Sequence, residues 1–360
     1  MSETKKCYLC AALAGLGSVG AKKLTETYGS IENISHLSVK ELREMGIPLK
    51  TANNVVRWET LPWKEELRFC EKNNITLVSI ADDDYPHLLK ETHSPPLLLY
   101  VKGTLPSAKD ICIAIVGTRT PSVYGLRTAE KLAGELSLYG ITIVSGLARG
   151  IDTAAHKGAL KTKGKTLAVT GCGFRHFYPK ENLRLSEEIA KTGAVITEFP
   201  SYITPRPSNF PQRNRIVSGI CRGTLVVEAG QKSGALITAN FALEQGREVL
   251  AIPGRTEDLT SKGTNRLLKE GALLVENVMD IIDALNLELK KPADKKETNT
   301  DGLTTTEKTV LNSIHSGRQT NIDEIALDTG IQQSLLFQVL LSLITKELIS
   351  ELPGKFYTRK

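Results

Sequence analysis

The chain has 360 residues, 41% of them hydrophobic and 24% charged, with 46 basic and 40 acidic side chains and a formal net charge of +6. That length accommodates two or three domains with ample cores, in a composition ordinary for a soluble globular protein. No apolar run approaches the roughly 20 residues needed to cross a bilayer, so a membrane-spanning class is excluded and no membrane partner is expected.

The first 80 residues read as short helices: Lys5–Ala14, Val19–Tyr28, Val39–Met45, Lys50–Thr60 and Pro62–Asn73. The apolar run Cys7–Leu16 only superficially resembles a signal peptide, because Lys22-Lys23 and helical spacing follow it; a cytoplasmic location is expected. Gly15-Leu16-Gly17-Ser18-Val19-Gly20 matches the G-x-G-x-x-G dinucleotide fingerprint, but no βαβ alternation follows. A glycine hairpin between two helices is the better reading, giving a helical (helix–hairpin–helix or SAM-like) module over 1–80. Cys7 and Cys10 form one C-x-x-C with no second Cys or His pair to complete a zinc site, and the six cysteines are expected to be reduced core thiols. Residues 81–104 are a Pro-punctuated connector with one extended apolar run, and Asp82-Asp83-Asp84 reads as a solvated turn rather than a divalent-metal site.

From Ile111 the pattern becomes strand–turn–helix. Buried strands are expected at Ile111–Val116, Ile141–Val144, Thr166–Val169, Val195–Thr197, Thr224–Val227, Val249–Ile252 and Ala272–Val275. Helical spacing intervenes at Tyr124–Leu138, Thr153–Leu160, Asn182–Lys191, Ala235–Gln245 and Gly263–Glu270. Such alternation predicts an α/β, doubly wound, Rossmann-like domain over 105–286, its mostly parallel sheet covered on both faces. Residues 287–302 read as a linker. Over 303–360, helical spacing at Glu307–His315, Ile322–Leu327 and Gln332–Lys346 precedes a two-stranded wing, Leu348–Tyr357, turning at Pro353-Gly354. Three helices and a wing suit a winged-helix-like module, although the third helix is nearly uncharged and fits protein docking at least as well as DNA contact.

Charge is not spread evenly. Residues 1–104 carry 13 basic and 13 acidic side chains and residues 287–360 carry 10 of each, so the whole excess lies in the middle domain, with 23 against 17. Two windows there lack Asp and Glu: Thr153–Lys180, and Phe199–Val227 with its four arginines. A concentrated positive field suits a polyanion, whose counterions are released on binding. Ligands of open parallel sheets bind beyond the strands' carboxyl ends. The turns there are glycine- and serine-rich, which brings backbone N–H groups and helix N-termini close to an anion. The candidate binding set is Gly117, Thr118, Arg119, Ser145, Gly146, Arg149, Lys180, Arg206, Phe210, Arg213, Asn214, Arg215, Ser233 and Gly234. Phe210, a stiff aromatic flanked by prolines in a basic loop, suits stacking on an unpaired base. No metal or cofactor is expected.

These residues resemble the DNA-processing protein A family (DprA, also called Smf). The likeness rests on Val116-Gly117-Thr118-Arg119, Ser145-Gly146-Leu147-Ala148 with Gly150-Ile151-Asp152 and Ala155-His156, Tyr178-Pro179, and Phe210-Pro211 with Arg213-Asn214-Arg215. It continues through Val227-Glu228-Ala229, Ser233–Thr238, Gly246-Arg247-Glu248 and Ile252-Pro253-Gly254, covering about Tyr85 to Glu276. The resemblance implies a cytoplasmic, homodimeric protein that binds single-stranded DNA, protects it and helps load the RecA recombinase in natural transformation. It also implies that Arg119, Lys180, Arg206, Arg213 and Arg215 meet phosphates and that Phe210 stacks on a base.

A rival reading is a nucleotide-binding enzyme related to nucleoside-monophosphate phosphoribohydrolases. Their Pro-Gly-Gly-x-Gly-Thr loop is absent, its place held by Glu228-Ala229-Gly230 and Ser233-Gly234. Asp152, His156 and Glu228 could compose a general acid/base set, but Asp152 at a helix start reads first as an N-cap and His156 as a structural partner. Binding is favoured over catalysis.

Overall fold

The computed structural model describes residues 3–288, 303–314, 319–346 and 348–359. Two compact units divide the chain, residues 1–290 and 291–360. Most of the expected linker, and His315 at the end of one expected helix, lie outside the described residues.

The first unit opens with helices α1 (Glu3–Leu13), α2 (Ser18–Tyr28), α3 (Val39–Glu44), α4 (Leu49–Val56) and α5 (Trp63–Lys72). The fingerprint-like glycines form the α1–α2 turn: Gly15 takes φ +82°, which only glycine adopts freely, and Gly17 is the N-cap of α2. These helices bury Leu9, Leu24, Leu42 and Ala52 in one cluster with Leu77, Leu98 and Tyr100, so they pack against strands of the sheet that follows.

That sheet contains β1 (Thr76–Ser79), β2 (Leu98–Gly103), β3 (Cys112–Val116), β4 (Thr142–Ser145), β5 (Thr166–Val169), β6 (Ala194–Thr197), β7 (Gly223–Val226), β8 (Glu248–Ala251) and β9 (Leu273–Leu274). Its order is β1-β2-β6-β5-β4-β3-β7-β8-β9. All pairs from β6 to β9 are parallel, and β1–β2 and β2–β6 are antiparallel. The apolar run of the expected connector is therefore a strand of the main sheet. Its residues Leu98–Val101 are all buried, as a strand with neighbours on both sides requires.

Six further helices make the parallel crossovers: α7 (Val123–Leu138), α8 (Ile151–Lys161), α9 (Leu183–Thr192), α10 (Asn209–Gly219), α11 (Gly234–Glu244) and α12 (Lys262–Lys269); a short helix, α6 (His87–Lys90), precedes β2 and α13 (Val278–Ala284) follows β9. Strand side chains alternate between faces. Ile113 and Ile115 pack with Leu132 and Leu136 of α7, Ala155 of α8 and Ile281 of α13. Ala114 and Val116 pack instead with Ile216 of α10, Ala239 of α11 and Leu267 of α12. Helices thus cover both faces. The arginine-rich segment, expected as a loop, is helical from Asn209: Pro211 falls in the first turn, where its missing N–H has no intrahelical acceptor to lose.

In the second unit, α14 (Thr305–Ser313), α15 (Ile322–Thr329) and α16 (Gln333–Thr345) pack on a three-stranded sheet of β10 (Thr320–Asn321), β11 (Ile349–Leu352) and β12 (Phe356–Arg359), in the order β10-β12-β11. Val310, Ile325, Leu336, Leu340, Leu343 and Tyr357 form its core. No single helix among the described residues is long and apolar enough to cross a membrane.

Candidate nucleic-acid interface

Successive crossovers run from β3 toward β6 in one direction and from β7 toward β9 in the other, so the chain reverses between β3 and β7. Such a reversal opens a crevice at the strands' carboxyl ends. A cleft of about 890 Å³ lies there, lined by the β3 turn Gly117-Thr118-Arg119, by Gly146 and Ala148 after β4, by Arg206, Phe210, Arg213 and Asn214, and by Lys232, Ser233 and Gly234 ahead of α11.

The β3 turn is held from both sides. Thr118 donates its N–H to the Glu228 carbonyl at 2.7 Å, and its own carbonyl accepts from Ile151 N–H at 3.3 Å. The Glu228 carboxylate accepts the Ser122 N–H at 2.9 Å and the Ser122 hydroxyl, while Ser122 Oγ accepts from Gly125 N–H and caps α7. Arg119 projects from this turn as an exposed side chain. Its guanidinium carbon lies 5.3 Å from the Phe210 ring centre. Tyr178 meets the same ring at 5.7 Å with the planes inclined by 56°.

Beneath the cleft is a buried polar layer. Asp152 is not the N-cap of α8; Gly150 is, and the Asp152 carboxylate instead accepts the N–H groups of Gly146 at 3.1 Å and Ala148 at 3.3 Å. Arg213, 3% exposed, donates to the carbonyls of Gly146 and Val169. A Cβ on Gly146 would lie 2.4 Å from Arg213 Nη1 and 2.6 Å from Asp152 Oδ2, so glycine is what lets both side chains close over the turn. Burial lowers the Arg213 guanidinium to about 10, opposed by Asp152, and burial raises the Asp152 carboxyl, opposed by Arg213 and the two amides. His156 is wholly buried, with Nδ1 2.7 Å from Thr166 Oγ1. Thr166 gives its own proton to the Ile143 carbonyl, so Nδ1 carries the imidazole proton. Burial first, then Arg213, lowers the His156 imidazole to about 3. Each member of the possible acid/base trio is therefore tied to a named partner within the fold.

Ten of the fourteen candidates line the cleft: Gly117, Thr118, Arg119, Gly146, Arg206, Phe210, Arg213, Asn214, Ser233 and Gly234. Arg119 and Arg206 are exposed, whereas Arg213 supports the floor rather than offering a free guanidinium. Asn214 Nδ2 donates to the Gly234 carbonyl at 3.2 Å, joining α10 to the start of α11. Four candidates lie elsewhere. Ser145 is fully buried, its hydroxyl donating to the Ile115 carbonyl at 2.7 Å. Arg215 is bound by Glu198 and the Ser94 carbonyl, with 16% side-chain exposure. Arg149 is paired with Glu181 and lines a neighbouring cavity of about 130 Å³ that shares Arg119, Tyr178 and Phe210. Lys180 is exposed beside Pro179.

The Thr153–Lys180 window contributes less than its composition suggests. Lys161 pairs with Glu130, and Lys165 with Asp110 at 3.1 Å, because acids distant in sequence fold against it. Sequence reasoning did not place Tyr178, Lys232 and Thr238 in the site, although all three line the cleft. Tyr178-Pro179 and Ser233–Thr238 were conspicuous as motifs; which of their side chains turn inward depends on the fold. Among the described residues no group of three or more His, Cys, Asp or Glu could hold a metal. Asp82 caps the Ser79 N–H at 2.8 Å and pairs with Lys5 at 3.0 Å.

Residues 76–286 match the family model for DNA recombination-mediator protein A. The chain is 39% identical to protein Smf of Escherichia coli over 264 residues, 73% of this chain and 71% of that protein. It is 32% identical to protein Smf of Synechocystis over the full length of both. The crystal structure of DNA processing protein A from Streptococcus pneumoniae superposes with a TM-score of 0.68 at 36% identity, covering 81% of this chain and 99% of that one. For the protein from Helicobacter pylori the TM-score is 0.53 at 29% identity, covering 61% and 99%. These matches do not support the phosphoribohydrolase alternative, whose acid/base candidates are already engaged in the scaffold. The chain belongs to the DNA recombination-mediator protein A family, known also as DprA or Smf.

Proposed function

We propose that this chain binds single-stranded DNA in the cleft at the β3–β7 reversal and acts in recombination and natural transformation. The observation that carries this reading is Phe210. It lines both cavities, with Tyr178 against its ring and Arg119 over it, so an aromatic platform and a cation share one site. Stacking on a ring is open to unpaired bases and is tolerant of sequence, while exposed Arg119, Arg206 and Lys232 suit the phosphates that connect them. The Helicobacter pylori relative is known for a single-stranded DNA binding mode of its own, which supports the same ligand here.

The finer reading follows from the same likeness. The sheet unit is a doubly wound, Rossmann-like domain and the second unit a winged helix. The protein is a cytoplasmic homodimer that protects DNA and helps RecA load, binding rather than catalysing. Fluorescence anisotropy with a labelled single strand, the matching duplex and mononucleotides tests the central claim. Single strands are expected to bind most tightly, with affinity falling steeply as salt rises. Equal affinity for duplex, or mononucleotide turnover, overturns it.

A further inference from the structure

The side chains of α5 that pack inward are Trp63, Glu66, Leu67, Phe69 and Cys70, and four of the five are apolar. Glu66 is the exception. It is 1% exposed, and burying a carboxylate is costly unless strong donors meet both oxygens. Here one residue 135 positions later supplies a donor to each oxygen: the Ser201 N–H meets Oε1 and the Ser201 hydroxyl meets Oε2 at 2.6 Å.

Ser201 lies in the segment from β6 to α10 that carries Arg206 to the cleft and leads into Phe210. A second contact reinforces the first. Arg175 donates from Nε to Ser201 Oγ at 2.9 Å and from its backbone N–H to the Ser201 carbonyl at 3.0 Å. The guanidinium of Arg175 also lies 4.6 Å from the ring centre of Phe69, three residues beyond Glu66 on α5. Close backbone contact fixes the far side: a Cβ on Gly173 would sit 2.1 Å from the Pro200 carbonyl oxygen, and Gly173 N–H donates to the Ile203 carbonyl at 2.9 Å. Helix α5 therefore grips this segment by a buried carboxyl group and a cation–aromatic contact.

We propose that Glu66 is a positioning residue for nucleic-acid binding, setting through Ser201 the conformation of the 199–208 segment that presents Arg206 and Phe210 to the ligand. This rests on the single-strand reading above. It assigns the N-terminal helices a part in binding without contact to DNA.

The test uses the full chain carrying Glu66→Ala or Glu66→Gln, alone and combined with Arg206→Ala or Lys232→Ala. Lys232 lines the cleft from a different segment, the turn between β7 and α11, and serves as the independent partner. Glu66→Ala is expected to weaken single-strand binding about tenfold in the wild-type and Lys232→Ala backgrounds, but only about threefold on Arg206→Ala, where the Phe210 part of the effect remains, because residues acting through one element are not additive. Glu66→Gln keeps the side chain's shape and one carbonyl acceptor, so a smaller loss in the same pattern is expected, and this variant carries the test if Glu66→Ala fails to fold. Hydrogen exchange supplies a readout independent of DNA: faster exchange confined to 199–208 is expected. An equal loss in all backgrounds, unchanged affinity, or unaltered exchange in 199–208 overturns the proposal. Should the wild type bind no single strand, the functional reading falls, and the exchange result alone decides whether Glu66 sets the segment.

Discussion

Arg119 and Phe210 stand 91 positions apart in sequence and meet across the cleft, the guanidinium carbon 5.3 Å from the ring centre. One comes from the turn after β3 and the other from the first turn of α10, so the pair exists only once β3 lies inside the parallel sheet. A cation held over an aromatic face can turn toward a phosphate while the ring takes a base. Arg119→Ala is expected to reduce single-strand affinity about tenfold and to flatten the dependence of log K on log salt by about 0.7 to 1 unit, the signature of one lost phosphate contact. Arg119→Lys restores the charge but not the planar stack and should fall between. Titrations at several salt concentrations check both. A folded Arg119→Ala variant with wild-type affinity would sink this assignment.

Arg213 behaves differently although it lies three residues from Phe210 on α10. Its guanidinium bridges the carbonyls of Gly146, just after β4, and Val169, the last residue of β5, beside the buried Asp152 carboxylate. Replacing it with Ala leaves those carbonyls without their donor and that carboxylate without its countercharge, at a cost of about 3–5 kcal/mol in folding free energy. The expected result is a large drop in the urea midpoint. Any variant that does fold should keep an unchanged salt slope for DNA. A reduced slope with intact stability would return Arg213 to the phosphate contacts.

That contrast marks what was legible in the sequence. Apolar β-branched runs such as Ile141–Val144 and Thr166–Val169 announced the parallel strands, because burial on both faces demands continuous hydrophobicity. The turns after them announced the site. Short-range patterns could not show that Lys161 and Lys165 are neutralised by Glu130 and Asp110, since those acids sit in other elements. Nor could they show that Arg215 is spent on Glu198, or that Leu98–Gly103 joins the sheet by pairing with β6. A row of arginines reveals charge; which of them face solvent is decided by tertiary contacts.

His156 gives a prediction in pH. Its folded value of about 3 lies below the ordinary 6.5. Above pH 6.5 both folded and unfolded imidazoles are neutral and the group contributes no pH dependence. Between 6.5 and about 3 the unfolded chain takes up a proton that the folded chain refuses, so stability falls as pH falls, by at most about 1.4 kcal/mol per unit. Asp152, with its carboxyl raised, acts in the opposite sense above its unfolded value, so the His156 contribution is best isolated by difference. Urea unfolding at several pH values should show a shallower acid loss for His156→Gln than for wild type over this window. Parallel profiles would mean that His156 titrates normally.

The second unit is expected to be dispensable for single-strand binding. Its longest helix, α16, contains no charged residue, and Lys346 just beyond it donates to Glu307 at 2.7 Å. Groove and backbone recognition draw on Lys and Arg for guanine edges and phosphates. The exposed side chains of this helix are uncharged polar ones, such as Gln333 and Gln338, and the large apolar Leu335, Phe337 and Leu341, the last 65% exposed. Every cleft residue lies between Val116 and Thr238, inside the first compact unit. A chain ending at Glu288 should therefore fold and retain single-strand affinity within about twofold of the full chain, because no phosphate contact is removed. Anisotropy titrations of the two chains at matched salt, alongside their thermal unfolding, decide the matter. A tenfold loss by the shortened chain, still folded and of the same oligomeric state, would mean that the second unit touches DNA despite its nearly uncharged helix.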